Sequence, residues 1–314
     1  MIVTLTANPS VDRTIEVDAL VRGAVLRAKA SRVDPGGKGV NVSRALAANG
    51  RKTCAVLPAG GWEGDQLAAL LAPEDVPVAL VPVGGSIRAN VSVVEPDGTV
   101  TKLNEPGPTL SEAELEAVSA VTVATAAGAG WVAASGSLPP GAPVDFYARL
   151  TARLGAASVR VAVDTSGPPL AAALPARPDL VKPNREELAE ATGLPVTTLG
   201  EAAAAADQLR RRGARTVLAS LGADGALLVD DAGAVHGAAA VPRPRSAVGA
   251  GDAMLAGFLA GGGSGPDALA EALAWGAAAT SLPGSRMPAP DDLDRDAVTI
   301  ADRIDPDRPL TERS

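Results

Sequence analysis

Cysteine and histidine are almost absent from this sequence: 314 residues hold one of each, Cys54 and His236. A single cysteine forms no intramolecular disulfide and builds no cysteine-based metal cluster. A single histidine leaves any His-dependent triad to His236, which sits in a strand-like stretch between small residues and is expected at the surface or on a sheet edge. Aromatic residues make up only 2%, so alanine, valine and leucine must fill the core. Basic residues are outnumbered, 28 against 36 acidic, giving a net charge of −8. That balance argues against a nucleic-acid partner, which needs a basic face. It leaves room for a locally basic pocket and an anionic substrate. No uncharged apolar run reaches about 18 residues, and Met1-Ile2-Val3-Thr4-Leu5-Thr6 lacks the basic-then-apolar pattern of a leader. The expectation is a cytoplasmic protein with no membrane partner.

What is present is regular alternation. Ile2 to Thr6 reads as a strand ended by Asn8-Pro9, and a helix opens at Gly36-Gly37-Lys38-Gly39 and stops near Asn49-Gly50. Thr53 to Leu57 is strand-like and Gly64 to Leu71 helix-like. Ile87 to Val94 and Val100 to Asn104 flank the turn Pro96-Asp97-Gly98, a hairpin outside the main alternation. Helices at Ser111 to Ala124, Pro143 to Leu154, Arg185 to Thr192 and Glu201 to Arg212 alternate with strands at Gly130 to Ala134, Val159 to Val163, Leu180 to Lys182 and Thr216 to Ser220. A second hairpin spans Ala226 to Ala239, and helices follow at Asp252 to Leu259 and Pro266 to Thr280. The pattern predicts an α/β fold with a mostly parallel sheet covered by helices on both faces. Ligands bind such sheets at the carboxyl ends of the strands. Residues 285–314, charged and proline-rich, read as a terminal helix or a loose tail.

Four segments at strand ends carry chemistry. Gly249-Ala250-Gly251-Asp252 combines small residues with a helix start, whose free amides and partial positive charge attract anions. Asp252 beside it would accept a proton from an attacking hydroxyl, or it is simply a helix cap. Pro35-Gly36-Gly37-Lys38-Gly39-Val40-Asn41 lacks Walker A spacing. Its glycines permit close backbone approach, Lys38 adds a charge, and Asn41 can bond a hydroxyl; a plain turn before a helix has the same look. Asn184 and Glu187 share a helix face, suited to a hydrated Mg²⁺ near phosphates and equally to a capping box. Ser220-Leu221-Gly222-Ala223-Asp224-Gly225 seats a nucleotide or makes a turn.

Taken together, these segments resemble the PfkB carbohydrate kinases of the ribokinase-like superfamily, over roughly residues 1–284. Further matching segments are Thr6-Ala7-Asn8-Pro9-Ser10-Val11-Asp12, Ile87-Arg88-Ala89-Asn90-Val91, Ser135-Gly136-Ser137-Leu138-Pro139-Pro140-Gly141 and Val181-Lys182-Pro183-Asn184. The set looks most like the family's phosphosugar kinases, those acting on fructose 1-phosphate, tagatose 6-phosphate or fructose 6-phosphate. The resemblance implies a Rossmann-like core and a β-sheet lid from about 11–33 and 87–104, with a homodimer formed through it. It implies ATP and Mg²⁺. It implies Asp252 as base, the amides of Gly249, Ala250 and Gly251 as anion hole, and Asn184 with Glu187 organising Mg²⁺ through water. Lys182 would lie near the nucleotide phosphates, and Ser220, Gly222 and Gly225 would line the nucleotide site. Asp12, Gly37 and Asn41 would hold sugar hydroxyls; Lys38 and Arg88 would clamp the sugar's existing phosphate, with Arg27 and Ser137 as further candidates. Fructose 1-phosphate is the preferred acceptor, because Gly-Gly-Lys-Gly with Lys38 resembles that subgroup and the tagatose-6-phosphate kinases. A kinase for an unphosphorylated sugar or nucleoside would not need Lys38 and Arg88 together. A non-catalytic regulator would have lost the base or the anion hole. Ala247 and Ala253 depart from the family's usual pattern.

Overall fold

A computed structural model describes residues 1–301 and 303–311. Seven parallel strands form one side of a ten-stranded sheet, out to its β5 edge: β1 (Ile2–Thr6), β4 (Thr53–Ala59), β5 (Val78–Pro82), β8 (Trp131–Ser135), β9 (Arg160–Asp164), β10 (Leu180–Val181) and β11 (Thr216–Ser220). Their spatial order is β5-β4-β1-β8-β9-β10-β11. Antiparallel β12 (Ala226–Asp230), β13 (Gly233–Ala239) and β14 (Val298–Ile300) extend the β11 edge. The central strands are almost wholly buried runs such as Ile-Val-Thr-Leu-Thr, as expected of a sheet covered on both faces.

The two-residue alternation of each strand divides the core. Val161 and Val163 face α3 (Glu112–Thr125), α4 (Phe146–Ala156), α5 (Gly167–Ala173), α6 (Arg185–Thr192) and α7 (Leu199–Arg211). Ala162 faces α1 (Lys38–Ala48), α8 (Ala250–Ala260) and α9 (Gly265–Ser281). The scarcity of aromatics is met by close approach of small residues. Ala253, Ala256, Ala268, Ala272 and Ala279 are buried between α8, α9 and the sheet. A Cβ on Gly257 would lie 2.7 Å from the Glu271 carbonyl oxygen.

A separate four-stranded sheet runs in the order β3 (Ala30–Gly36), β2 (Ser10–Glu16), β6 (Arg88–Val94), β7 (Val100–Asn104). Its register pairs Ser10 with Arg88, Asp12 with Asn90, Asn90 with Asn104 and Ser92 with Lys102. Directly paired residues share a face, so one face is polar. The other carries Val11, Ile15, Val33, Val91, Val93 and Leu103, and packs at one end over α2 (Gly61–Leu71) through Val11, Ile87, Leu67 and Leu71.

Three elements lie beyond the sequence expectation: β5, α5 and β14. The last corrects the reading of residues 285–314 as helix or tail for the described part of that stretch; residues 302 and 312–314 lie outside the described residues. The β-branched run Val298-Thr299-Ile300 pairs with β13 and covers a sheet edge that would otherwise be open. Beyond it, Pro309 bridges Thr198 and Leu310 is buried. His236 is corrected too. With β12 on one side and β14 on the other it is 3% exposed, and its Nε2–H donates to the Asp224 carbonyl oxygen at 2.7 Å. No helix among the described residues is long and apolar enough to cross a membrane.

The single tyrosine pins a strand end. Tyr147 on α4 is fully buried and its hydroxyl faces the carbonyl oxygens of Ser135 at 3.2 Å and Gly136 at 2.9 Å. Removing that hydroxyl takes away the one proton these two carbonyl oxygens share, so Tyr147→Phe is expected to cost about 1–2 kcal/mol in urea unfolding. A change below a few tenths of a kcal/mol would show the hydroxyl to be idle.

Candidate active site

The carboxyl ends of the parallel strands and the polar face of the small sheet enclose a cavity of about 550 Å³. Beside it lies a second, of about 510 Å³. Ala247 lines both. Gly249 and Asp252 line the first, and Ala250 and Gly251 the second. The Gly249–Asp252 turn is therefore the seam between two chambers.

The backbone of that turn resolves the cap question. Gly249 is the N-cap of α8, with φ 77°, a left-handed conformation that suits glycine. Asp252 is the third helical residue and caps nothing. Its Oδ2 accepts from Asn41 Nδ2 at 2.9 Å. The first amides of α8 have no intrahelical acceptors, and the Ala250 N–H reaches only a long 3.4 Å bond to the Ala247 carbonyl. Donors aimed at the seam remain for an anion. Gly37 is likewise required: its φ is 118° and a Cβ would meet Thr6 Cγ2 at 2.6 Å.

Asn41 holds the carboxylate and is itself held, because Arg44 Nη1 donates to its Oδ1 at 3.3 Å. Arg44, 5% exposed, is fixed by Glu74 and the Ser285 carbonyl oxygen. Asn41, expected to hold sugar hydroxyls, thus positions Asp252 while still lining the first cavity.

Beneath the seam lies a group the sequence reading passed over. Asp164, the last residue of β9, is wholly buried between two lysines. Lys38 Nζ lies 2.8 Å from its Oδ1 and Lys182 Nζ 3.3 Å from its Oδ2. Lys182, 4% exposed, lines neither cavity but sits under the turn, 3.4 Å from where a Cβ on Gly251 would be. Lys38 also reaches Glu187 Oε1 at 3.6 Å. Its ammonium is thus engaged by two carboxylates, whereas the expectation was that it would share a phosphate with Arg88. A carboxylate ending the apolar strand Arg-Val-Ala-Val-Asp was the available signal, since strand ends carry ligand sites.

These charges set the proton affinities. Burial pushes the Asp252 carboxyl up, repulsion from Asp164 adds to it, and Asn41, Lys182 and Lys38 pull back; the result is about 6. Burial alone would raise Asp164, but Lys182 and Lys38 outweigh it and hold the group below the usual carboxylate range. Burial would lower Lys38, yet Asp164 and then Glu187 raise it above the ordinary lysine value. The cluster thus keeps the Lys38 ammonium charged near a carboxylate poised close to neutrality.

The small sheet supplies the far wall. Asp12 Oδ1 accepts from Ser10 Oγ at 2.7 Å and Asn90 Nδ2 at 2.9 Å, leaving Oδ2 for a ligand. Arg88 donates to the carbonyl oxygens of Asn8 at 3.1 Å and Glu105 at 3.3 Å, while its buried Nε has no partner. Asn90 Oδ1 is buried and unpartnered as well. Ser137, a candidate for the sugar's phosphate, lines this cavity, and so do Asn90, Lys102 and Asn104, which the sequence reading did not single out. The β6–β7 register, placing Lys102 and Asn104 opposite the polar positions of β6, was the signal. Arg27 is not brought to the site: it lies in the exposed segment between β2 and β3.

Asn184, Ser220, Gly222 and Gly225 line the second cavity. Here the capping reading also holds. Asn184 caps α6 by accepting from the Glu187 amide at 2.8 Å, and Glu187 Oε2 accepts from the Asn184 amide at 2.9 Å. The box spends Oε2 and leaves Oε1 toward Lys38 and the first cavity. Among the described residues no three acidic, histidine or cysteine side chains cluster as a self-sufficient metal site. One spare carboxylate oxygen between two chambers fits a cation that arrives on phosphates and keeps its water. Of the two departures, Ala253 is fully buried in the core, while Ala247 lies at the seam.

The model of the pfkB family of carbohydrate kinases matches residues 5–292. A 1-phosphofructokinase of Rhodobacter capsulatus is 41% identical over 309 residues, covering 95% of this chain and 96% of its own. An ATP-dependent 6-phosphofructokinase isozyme 2 of Mycobacterium tuberculosis is 38% identical over 300 residues, covering 94% and 88%. The crystal structure of phosphofructokinase-2 from Escherichia coli in complex with potassium superposes with a TM-score of 0.86 at 35% identity, covering 93% of this chain and 96% of that one. The fold, the paired cavities and these likenesses lead to one conclusion: the chain belongs to the pfkB family of carbohydrate kinases.

Proposed function

We propose that the protein transfers the γ-phosphoryl group of ATP to a ketohexose phosphate, fructose 1-phosphate first among acceptors, yielding fructose 1,6-bisphosphate and ADP. The observation that carries this is the seam: two cavities of phosphosugar and nucleotide size meet at free helix amides with a buried carboxylate beside them. The 1-phosphofructokinase likeness favours the acceptor; fructose 6-phosphate is the second reading, favoured by the 6-phosphofructokinase relatives. Asp252 takes the proton of the acceptor hydroxyl as that oxygen bonds to the γ-phosphorus and the bond to the β-phosphate oxygen breaks. The α8 amides hold the transferred group's oxygens. Glu187 with Asn184 would hold the water shell of a Mg²⁺ arriving with ATP, and that cation would supply charge neutralisation to the phosphates.

The cationic groups lining the first cavity with no carboxylate ion-pair partner are on the small sheet, so Arg88 and Lys102 are assigned to the sugar's existing phosphate. Lys38, paired with Asp164 and Glu187, is assigned to the transferred group. Losing a hydrogen bond to a charged group costs roughly 10- to 100-fold. Arg88→Ala and Lys102→Ala should each lower kcat/KM for the phosphosugar by that factor and leave turnover of free fructose unchanged. Equal losses on both acceptors would contradict the assignment.

The test of the function is ADP release with fructose 1-phosphate, fructose 6-phosphate, tagatose 6-phosphate, fructose and ribose, with and without Mg²⁺. Fructose 1-phosphate should lead. Preference for fructose 6-phosphate would overturn the acceptor, and preference for an unphosphorylated sugar would overturn the phosphosugar reading. A homodimer through the small sheet, acting as a lid, is part of the proposal. It is supported by Leu103, 61% exposed, and Val25, 90% exposed, on and beside that sheet.

A further inference from the structure

The C-terminal segment and Asp224 have no part in the chemistry above, yet the structure ties both to the nucleotide cavity. Asp224 ends the 3-10 turn Gly222–Asp224. Its neighbours Gly222, Ala223 and Gly225 line the second cavity; Asp224 itself does not, and is 6% exposed. A carboxylate so buried needs donors, and they come from the far end of the chain. The Thr311 amide donates to Oδ2 at 2.7 Å and the Thr311 hydroxyl to Oδ1 at 3.1 Å. Arg308 Nη2 stands 3.5 Å from Oδ1.

The same residue holds a second wall. Arg185 Nη1 donates to the Thr311 carbonyl oxygen at 2.8 Å, and Arg185 follows Asn184, which lines the cavity at the start of α6. The segment is anchored upstream as well. The Leu199 amide donates to the Arg308 carbonyl and the Gly200 amide to the Pro306 carbonyl, both at 3.0 Å, and the Leu310 amide donates to the Thr197 carbonyl at 2.8 Å.

We propose that residues 303–311 form a clamp on the nucleotide cavity, in which Thr311 is a positioning residue joining the Gly222–Asp224 turn to the start of α6. The clamp holds the walls at the spacing ATP needs, so its loss weakens nucleotide binding and leaves the sugar side intact. This rests on the reading of the second cavity as the ATP site.

Two substitutions in the full chain test it. Thr311→Pro removes the amide donor and the hydroxyl together; Asp224→Ala removes their acceptor. Each should raise KM for ATP roughly tenfold, the scale of a lost charged hydrogen bond, with KM for the phosphosugar within twofold of wild type. Because both break one linkage, the double variant should be no worse than the worse single variant. Thr311→Ser retains both donors and should match wild type. Unchanged KM for ATP, or KM values for both substrates rising together as the melting temperature falls, would overturn the clamp. Ala277→Phe, which fills the second cavity, separates the two claims. If it leaves KM for ATP unchanged, the cavity reading itself fails; if it raises KM while the Thr311 and Asp224 variants do not, the clamp alone fails.

Discussion

Asp252→Asn is expected to lower kcat by roughly 10²- to 10⁴-fold and, at pH 8, to raise the melting temperature by a few degrees. Both follow from one fact, that this carboxyl is buried and pushed up to about 6. The base works when deprotonated, so wild-type kcat/KM should fall tenfold per pH unit as pH drops below about 6. The stability sign runs the other way. A carboxyl whose folded pKa is raised favours the protonated form in the fold. Its contribution is complete below its unfolded value near 4 and is lost as pH rises through about 6. Moving a carboxyl from near 4 to about 6 corresponds to a cost on the order of 3 kcal/mol for ionising it in place. Asparagine keeps the shape, still accepts from Asn41 and carries no charge. The stability gain should be largest above pH 6 and vanish near pH 4. An unchanged melting temperature at pH 8 with lost activity would mean the carboxylate is better solvated than its burial indicates.

Asp164→Asn has the next largest expected effect. Removing one partner of a buried ion pair leaves the others uncompensated, typically at a cost of about 3–5 kcal/mol, and here Lys182 is nearly as buried as the carboxylate. The native pair depends on pH with the opposite sign to Asp252. Asp164 is held below its ordinary value, so its contribution is present above about pH 4 and is lost as pH falls through the folded value. The kinetic signature is more specific than the stability loss. Asp164 repels ionised Asp252, and the lysines it neutralises attract it. Without Asp164, the Asp252 pKa must drop. At pH 5 the variant should retain a larger fraction of its own plateau activity than wild type does, although the plateau is lower. An acid limb that stays in place would show that Asp252 does not sense Asp164.

Much of this was legible in the sequence because local signals agreed with the fold. The Gly36–Asn41 and Gly249–Asp252 turns need positive φ and open helices; the first follows β3 directly, whereas the second comes ten residues after the end of β13. The polar face of the small sheet was half legible: Asp12 and Arg88 came from motif segments, whereas Lys102 and Asn104 needed the pairing register that only the folded sheet supplies. Asp164 was passed over because one carboxylate after an apolar strand looks like any strand end; its two lysines are far away in sequence. For Asn184 and Glu187 the alternatives proved compatible, since a capping box uses one Glu187 oxygen and frees the other. His236 and residues 285–314 were misread for one reason. A three-residue strand flanked by charges gives almost no periodic signal, yet it turns β13 from an edge into an interior strand.

The central claim is that a phosphoryl group crosses from one cavity to the other at the Gly249–Asp252 turn. A crystal structure of Asp252→Asn with ATP, Mg²⁺ and fructose 1-phosphate measures this directly. The account predicts the adenine end in the cavity lined by Gly222 and Gly225, and the γ-phosphate against the Ala250 and Gly251 amides. The sugar's C6 hydroxyl should lie within about 3 Å of residue 252, and its phosphate against Arg88 and Lys102. A nucleotide in the Arg88 cavity, or the sugar phosphate lying against residue 252, would contradict it.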